Sequence, residues 1–306
     1  MRIKGLITIL TLISNFSFGQ QLSNLYGDYL GQITPGDSAI VFAPDIISIT
    51  GSSEYICSVH PSMKLIVWTS GKKSGKIIDN KYKKLFYLKR DSNIWNQPKQ
   101  LLLSDEFSEE EGIFSSDGTK LFYSSNRPNK YDPDLWCAEI SEEGWKQAQK
   151  LVIPSMLEGR QIYVTTTNDG TLYFSSRKLM GKDRKYRIYC SKKINGKYSK
   201  PTFVMEGAHS FVHPEGKYIL LDIHDEKGDG KMDIGICFKL DNNSFSKPIN
   251  LGNKINTNFN ETCATLSPDL KYIFFSRYNE PDQNSNIYWI SSQIIDETEK
   301  EFRKNK

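Results

Sequence analysis

The chain has 306 residues, with 40 Lys and Arg against 36 Asp and Glu, a formal charge of +4 at neutral pH. That near balance, without a basic run interleaved with aromatics, points away from nucleic acid as a partner. The length suits one large domain, and the short segments of branched and aromatic residues between turn signals point to an all-β one.

The first 19 residues read as an export signal rather than as part of the fold. Arg2 and Lys4 precede an apolar run, Gly5 to Ile13, that is too short to span a bilayer. Ser17 and Gly19 place small residues at the −3 and −1 positions of a cleavage site before Gln20. Cleavage there removes Arg2 and Lys4 and leaves 38 basic against 36 acidic residues, or +2. No Cys follows the run closely, which argues against a lipid anchor. The expected destination is the periplasm or beyond, with no integral membrane segment once the signal is gone. Residues 20–50 carry no turn marker, yet Ala39 to Pro44 has the β-rich character of an outer strand.

From residue 51 to 296 the chain repeats. The clearest unit runs from Glu111 to Ile153: four short strands joined by turns in about 45 residues, the content of one β-propeller blade. Its turn, Ser116 to Thr119, has counterparts at Pro61–Lys64, Asn168–Thr171, Pro214–Lys217 and Pro268–Lys271. Successive turns are 55, 52, 46 and 54 residues apart. Asp-Gly suits a two-residue hairpin because Gly accepts positive φ; Met63 and Leu270 depart from that pattern, which predicts another turn type there. A β-rich run follows each turn, beginning at Leu65, Leu121, Leu172, Tyr218 and Tyr272.

A second marker keeps step with the first. Trp95, Trp145, Tyr198 and Phe245 each stand three residues before Pro98, Ala148, Pro201 and Pro248. A Pro at this place fits an outer edge strand, where a missing N–H costs no ladder bond. The last repeat lacks the marker after Asn286 to Ile290. The N-terminal strand is therefore expected to complete the last blade, closing five blades into a ring. Six blades, with one built from degenerate terminal pieces, is the alternative. Residues 297–306 read as a polar tail. Of the five Cys, Cys137 and Cys190 share one place in neighbouring blades, where sheets roughly 10 Å apart are too distant for a disulfide; both are expected to be buried, reduced and structural.

On these residues the chain resembles the TolB-type β-propeller repeat proteins, whose repeats carry a Ser-Pro-Asp-Gly-Lys turn. Leu266–Ser276 and Phe114–Ser125 match that pattern best, and Tyr29–Gln32, Val41–Pro44 and Asn286–Ile290 look like an exported bacterial subgroup. The resemblance covers about residues 29–296. It implies the fold and a place in the cell envelope; it carries over no activity.

In a propeller the first strand of each blade lines the central channel. The starts of those strands carry Glu54, Glu111, Arg160, His209 and Glu261, and the ends of the second strands carry Arg127, Arg177 and Arg277. All eight are expected at one channel mouth, as interblade ion pairs or as a site for a polar ligand. Asp225 to Asp233 is acidic and Gly-rich, but Lys227 and the lack of a late Glu make it a poor calcium loop. His209, His213 and His224 fall in one blade without an evident third metal ligand. No G-x-S-x-G, H-E-x-x-H or P-loop is present. Glu54, Glu111 and Glu261 could meet as catalytic carboxylates of a propeller hydrolase or lyase acting on polysaccharide or peptide, but their recurrence in successive blades argues for a structural use. The expectation is a monomeric, non-catalytic propeller without cofactor or metal, which binds a protein or glycan through its channel face.

Overall fold

The computed structural model describes residues 25–305, apart from loop segments at 75–76, 79–82, 105, 128–132, 142–143, 156–157, 179–184, 225–230 and 280–283. The signal segment and most of the acidic loop after Asp225 lie outside the described residues.

Five antiparallel sheets form the five blades, the first four ordered in chain sequence from channel to rim. The channel strands are Ser52–Val59, Glu109–Phe114, Arg160–Thr166, Ala208–Val212 and Asn260–Leu266. The second strands are Leu65–Ser74, Lys120–Ser125, Leu172–Arg177, Tyr218–His224 and Tyr272–Asn279, and the third are Lys84–Asp91, Asp134–Ser141, Arg187–Ser191, Met232–Phe238 and Asn284–Ser291. The outermost strands of the first four blades are Lys99–Gln100, Gln149–Lys150, Thr202–Glu206 and Ile249–Asn250.

The fifth blade takes its outer strand from the N-terminus. Ile40 pairs with Trp289 and Val41 with Tyr288. Phe42 is fully buried beside this closure, with its ring 5.1 Å from Trp289 and 4.9 Å from Phe274. Tyr29 adds a hydrogen bond to Asp269 at 2.9 Å. Burying a side chain such as Phe42 stabilises by about 2–3 kcal/mol, and here that gain joins the two ends of the ring.

Each interface between blades has its own apolar cluster. Val67 and Leu85 of the first blade meet Leu121 and Tyr123 of the second. Phe122 and Leu135 meet Val164 and Phe174, and Ile188 meets Val212 and Ile219. Leu220 and Ile236 meet Ile273 and Phe275, and Phe274 and Trp289 meet Ile66 and Trp68. Alternation explains this division: the two faces of one strand serve two different interfaces. Gly112 shows how closely they approach, since a Cβ there would lie 2.9 Å from Leu85 and 3.0 Å from Val67 of the neighbouring blade.

Three expectations need correction. The turns between first and second strands are not two-residue hairpins, and Met63 and Leu270 do not change their type. In all five blades the residue at the Gly position donates its N–H to the carbonyl three residues back: Met63 to His60, Gly118 to Ser115, Gly170 to Thr167, Gly216 to His213 and Leu270 to Ser267. Met63 and Leu270 accept the same left-handed backbone, at φ 59° and 60°. Asp117 fixes its turn from within, accepting from the Ser115 hydroxyl at 2.6 Å and the Thr119 N–H at 3.0 Å.

The second correction concerns the aromatic marker. Pro98, Pro201 and Pro248 stand just before the outer strands rather than within them. The aromatic belongs to the preceding connection, in small hairpins such as Ile94–Trp95. Trp95 is buried there and donates its indole N–H to the Gly27 carbonyl at 2.7 Å.

The third concerns Cys190. All five thiols are free, but Cys190 is half-buried where Cys137 is buried. Residues Gln293–Lys304 form a helix that runs through most of the polar tail and docks Ile294 and Ile295 on the fourth and fifth blades. Its Phe302 stacks on Phe238 with centroids 5.4 Å apart.

Candidate functional site

Every channel strand breaks register at one place, and the residue at each break has a left-handed backbone. These residues are Ile56, Glu111, Tyr163, His209 and Cys263, at φ 48°, 63°, 59°, 44° and 61°. A bulge of this kind re-aims the strand and turns one residue out of the ladder. Left-handed backbone is unfavourable for a β-branched or bulky side chain, so five such residues in one ring are held there by their surroundings.

The holding bonds are visible in four blades. The freed N–H of each bulged residue donates to a side chain of the blade before it. Ile56 donates to Ser276 Oγ at 3.1 Å, Glu111 to Thr69 Oγ1 at 2.9 Å, Tyr163 to Glu111 Oε2 at 2.9 Å and Cys263 to Asp222 Oδ1 at 2.9 Å. Three of the four acceptors come from one position of the second strand, which carries Thr69, Ser124, Ser175, Asp222 and Ser276 around the ring. Ser124 reaches its target through Glu111, donating its hydroxyl to Oε2 at 2.8 Å. Asp222 is the one carboxylate in a series of hydroxyls.

Three members of the ring form a polar group with Asp222. His209 lies between two carboxylates: Nδ1 is 2.5 Å from Asp222 Oδ2 and Nε2 is 3.4 Å from Glu111 Oε1. Cys263 completes the group, with donor atoms of His209, Asp222 and Cys263 all within 4.8 Å of one another. Asp222 and Cys263 are buried, while about one-fifth of the His209 side chain remains exposed. Burial alone would lower the imidazole pKa, but Cys263 and Asp222 hold it well above its ordinary value. Burial alone would raise Glu111; the hydrogen bond and charge of His209 outweigh it and hold that carboxyl low. Burial raises Asp222 and the Cys263 thiol, against the opposing influence of His209. The Tyr163 ring packs edge-on to the imidazole at 5.3 Å, and its hydroxyl donates to the Ala264 carbonyl at 2.7 Å.

The eight predicted residues separate into two layers. Glu111 and His209 belong to this inner ring. Glu54 and Glu261 sit two residues earlier in their strands, where the second blade has Glu109, the third Gln161 and the fourth Gly207. Glu54, Glu109 and Glu261 are completely buried. Glu261 pairs with Arg277 Nε at 2.7 Å, and Glu109 with Arg127 at 3.0 Å. Burial pushes Glu109 up to about 7 even against Arg127, and its Oε2 has no hydrogen-bond partner. Glu54 has no guanidinium; Ser52, Ser70 and the Ile49 N–H serve it, and burial pushes it up to about 7. Arg160 meets Glu110 at 3.3 Å, which also takes Lys83 at 2.6 Å across the blade interface. The Arg177 guanidinium lies over the Tyr186 ring, 4.7 Å from its centroid. His213 leaves the channel altogether and packs on Tyr218, because the bulge at His209 breaks the alternation that would have aligned the two.

Sequence reasoning missed Asp222, Cys263, Tyr163, Glu109 and Glu110. Asp222 was detectable as the single departure from Ser or Thr at its repeat position. Cys263 and Tyr163 were detectable by spacing alone, since each stands six residues before the Asp of its turn, as Glu111 does.

A second concavity lies away from the channel. An open groove of about 1070 Å³ runs between the third and fourth blades, with Tyr173, Phe203 and Phe245 among its walls. It touches Phe203, Val204, Met205 and Glu206, four consecutive residues of the outer strand. A bulge at Val204 breaks the alternation of this strand, so neighbouring side chains share one side and border the groove together.

The architecture and the channel ring define a five-blade β-propeller with a plugged centre. Its propeller is TolB-like: similar solved structures include TolB proteins from two bacteria. The putative TolB of Agrobacterium tumefaciens is 12% identical over 78% of this chain and 76% of its own, with a TM-score of 0.51. TolB from Acinetobacter baumannii is 16% identical over 78% of this chain, which spans about half of it (54%), at a TM-score of 0.47. A gluconolactonase from Xanthomonas campestris is also similar, 11% identical over 87% of this chain and 99% of its own, at 0.46. At these identities the likeness is one of fold. No family model and no curated protein matches the chain.

Proposed function

We propose that the chain is a non-catalytic binding propeller that takes an extended segment of a partner protein along the edge of its third blade. The observation that carries this reading is the outer strand Thr202–Glu206. It has five residues where the other four outer strands have two, and it is last in its sheet, so among the described residues one edge of its backbone is unpaired. The strand borders the groove, and Phe203 on it is 53% exposed. Strand addition uses such an edge: main-chain hydrogen bonds give affinity and pockets for alternate side chains give specificity.

The channel face supports binding rather than turnover. Acid–base chemistry needs carboxylates free to meet a substrate, whereas Glu54 is completely buried, Glu111 is tied to Ser124, Tyr163 and His209, and Glu109, Glu110 and Glu261 face Arg127, Lys83, Arg160 and Arg277. The mouth residues therefore serve to frame the ring. The signal-like segment before Gln20 supports action in the periplasm or outside the cell. Among the described residues no helix is long and apolar enough to cross a membrane.

Peptides selected on the protein from a random library, followed by amide hydrogen exchange of the complex, test the reading. Protection on binding should concentrate in 202–206, and Phe203→Asp should abolish it. Protection confined to the channel mouth, with Phe203→Asp binding as before, would move recognition to the channel face.

A further inference from the structure

The group at His209 is more than a buried charge network, and its donors are those of a transition-metal site. Imidazole, carboxylate and thiol together are a ligand set that suits zinc. They reach one point from different blades: His209 and Asp222 from the fourth, Cys263 from the fifth. Tetrahedral coordination at about 2.0–2.3 Å places ligand atoms roughly 3.3–3.7 Å apart. The donors here lie within 4.8 Å of one another, and the pair at 2.5 Å, His209 Nδ1 and Asp222 Oδ2, is closer than that. Coordination opens that contact by about 1 Å and draws the longest of the others in by up to about 1 Å.

We propose that His209, Asp222 and Cys263 form a zinc site at the centre of the channel, with Glu111 orienting the histidine. A metal takes one nitrogen of an imidazole, and the other N–H commonly donates to a carboxylate that fixes the ring. Glu111 stands in that place, 3.4 Å from Nε2, when Nδ1 faces Asp222. Its own position is fixed by the Tyr163 N–H at 2.9 Å and the Ser124 hydroxyl at 2.8 Å.

Zinc takes the imidazole in its neutral form and the sulfur as thiolate, so its uptake is coupled to release of protons to solvent. Three protein ligands leave the fourth position to water, and the exposed fraction of His209 marks the side from which solvent reaches it.

Cobalt(II) titration of the full chain after chelator treatment tests the site, because a thiolate ligand gives cobalt a near-ultraviolet charge-transfer band. One equivalent should bind with that band, zinc should displace it, and zinc should raise the melting temperature. Cys263→Ser should abolish the band, and Glu111→Gln should weaken binding roughly 10- to 100-fold while keeping it. Cys190→Ser, the half-buried thiol elsewhere, should change nothing. Absence of saturable uptake by folded protein would overturn the proposal. So would a cobalt spectrum without the sulfur band, or one indifferent to Cys263→Ser. Should Cys263→Ser fail to fold, the presence or absence of the band in the unaltered chain, with Cys190→Ser beside it, still decides.

Discussion

Glu54 makes a measurable demand on stability. Its carboxyl is fully buried with hydroxyl and N–H partners and, among the described residues, no cation, and burial pushes its pKa from 4.5 to about 7. The folded state therefore prefers the protonated acid. Below pH 4.5 both folded and unfolded chains hold that proton, and the carboxyl costs nothing. As pH rises toward 7 the unfolded chain ionises first, and stability falls. Above 7 the folded carboxyl ionises too, and the loss stops growing at about 3 kcal/mol. Between pH 5 and pH 8 the loss amounts to roughly 2–3 kcal/mol. Glu54→Gln mimics the protonated acid and removes this dependence. Urea unfolding of both proteins at pH 5, 6, 7 and 8 isolates the effect, because Glu109 and the other groups contribute equally to each. The variant should match the parent closely at pH 5 and exceed it by about 2–3 kcal/mol at pH 8. A difference independent of pH would refute the reasoning.

Three further outcomes follow from the same geometry. Arg277→Met leaves the buried Glu261 carboxylate without its cation and should cost about 3–5 kcal/mol in denaturant unfolding, with much of the loss recovered in the double variant Glu261→Gln/Arg277→Met. Leu270→Gly should stabilise by up to about 1 kcal/mol, since the turn holds φ at 60° and the Leu side chain is partly exposed; a clear destabilisation would mean that Leu270 packs more than it strains. Phe42→Ala should cost roughly 3–5 kcal/mol and raise amide exchange in Ile40–Val41 and in their partners Tyr288 and Trp289, because the ring then loses the side chain that locks its closure.

Most of the fold was legible because a propeller repeats. The turn and aromatic markers are local, so their spacing survives in a linear reading, and the missing outer strand of the last repeat pointed to the N-terminal segment that supplies it. The inner site was less legible for a definite reason. The starting residues of the strands were matched to one another, which set Glu111 beside Glu54 and Glu261. Counted back from the turn, Glu54 and Glu261 stand eight residues before Ser62 and Asp269, as Glu109 does before Asp117, whereas Glu111 stands six before it; the strand register agrees and places Glu111 at the bulge. Ile56, Glu111, Tyr163, His209 and Cys263 all stand six residues before the second residue of their turn, so spacing marks the bulge although residue type does not. Simple alternation made His209 and His213 look like neighbours on one side of a strand, when the bulge sends them to different surroundings.

Symmetry and its breaking then explain where a site can form. At the second-strand position a hydroxyl is enough to receive the N–H of the next blade's bulged residue, as Thr69 and Ser276 show. Asp222 meets that structural need with Oδ1 and still has Oδ2 for His209. A carboxylate is therefore more than the scaffold requires, and its burial is costly unless paired. The ring pairs it with an imidazole and sets a thiol alongside, at one place out of five. Structural residues recur because every blade meets the same neighbour. Residues that exceed the structural need at one blade alone are the ones for which the scaffold gives no reason, and in this channel they are Asp222, His209 and Cys263.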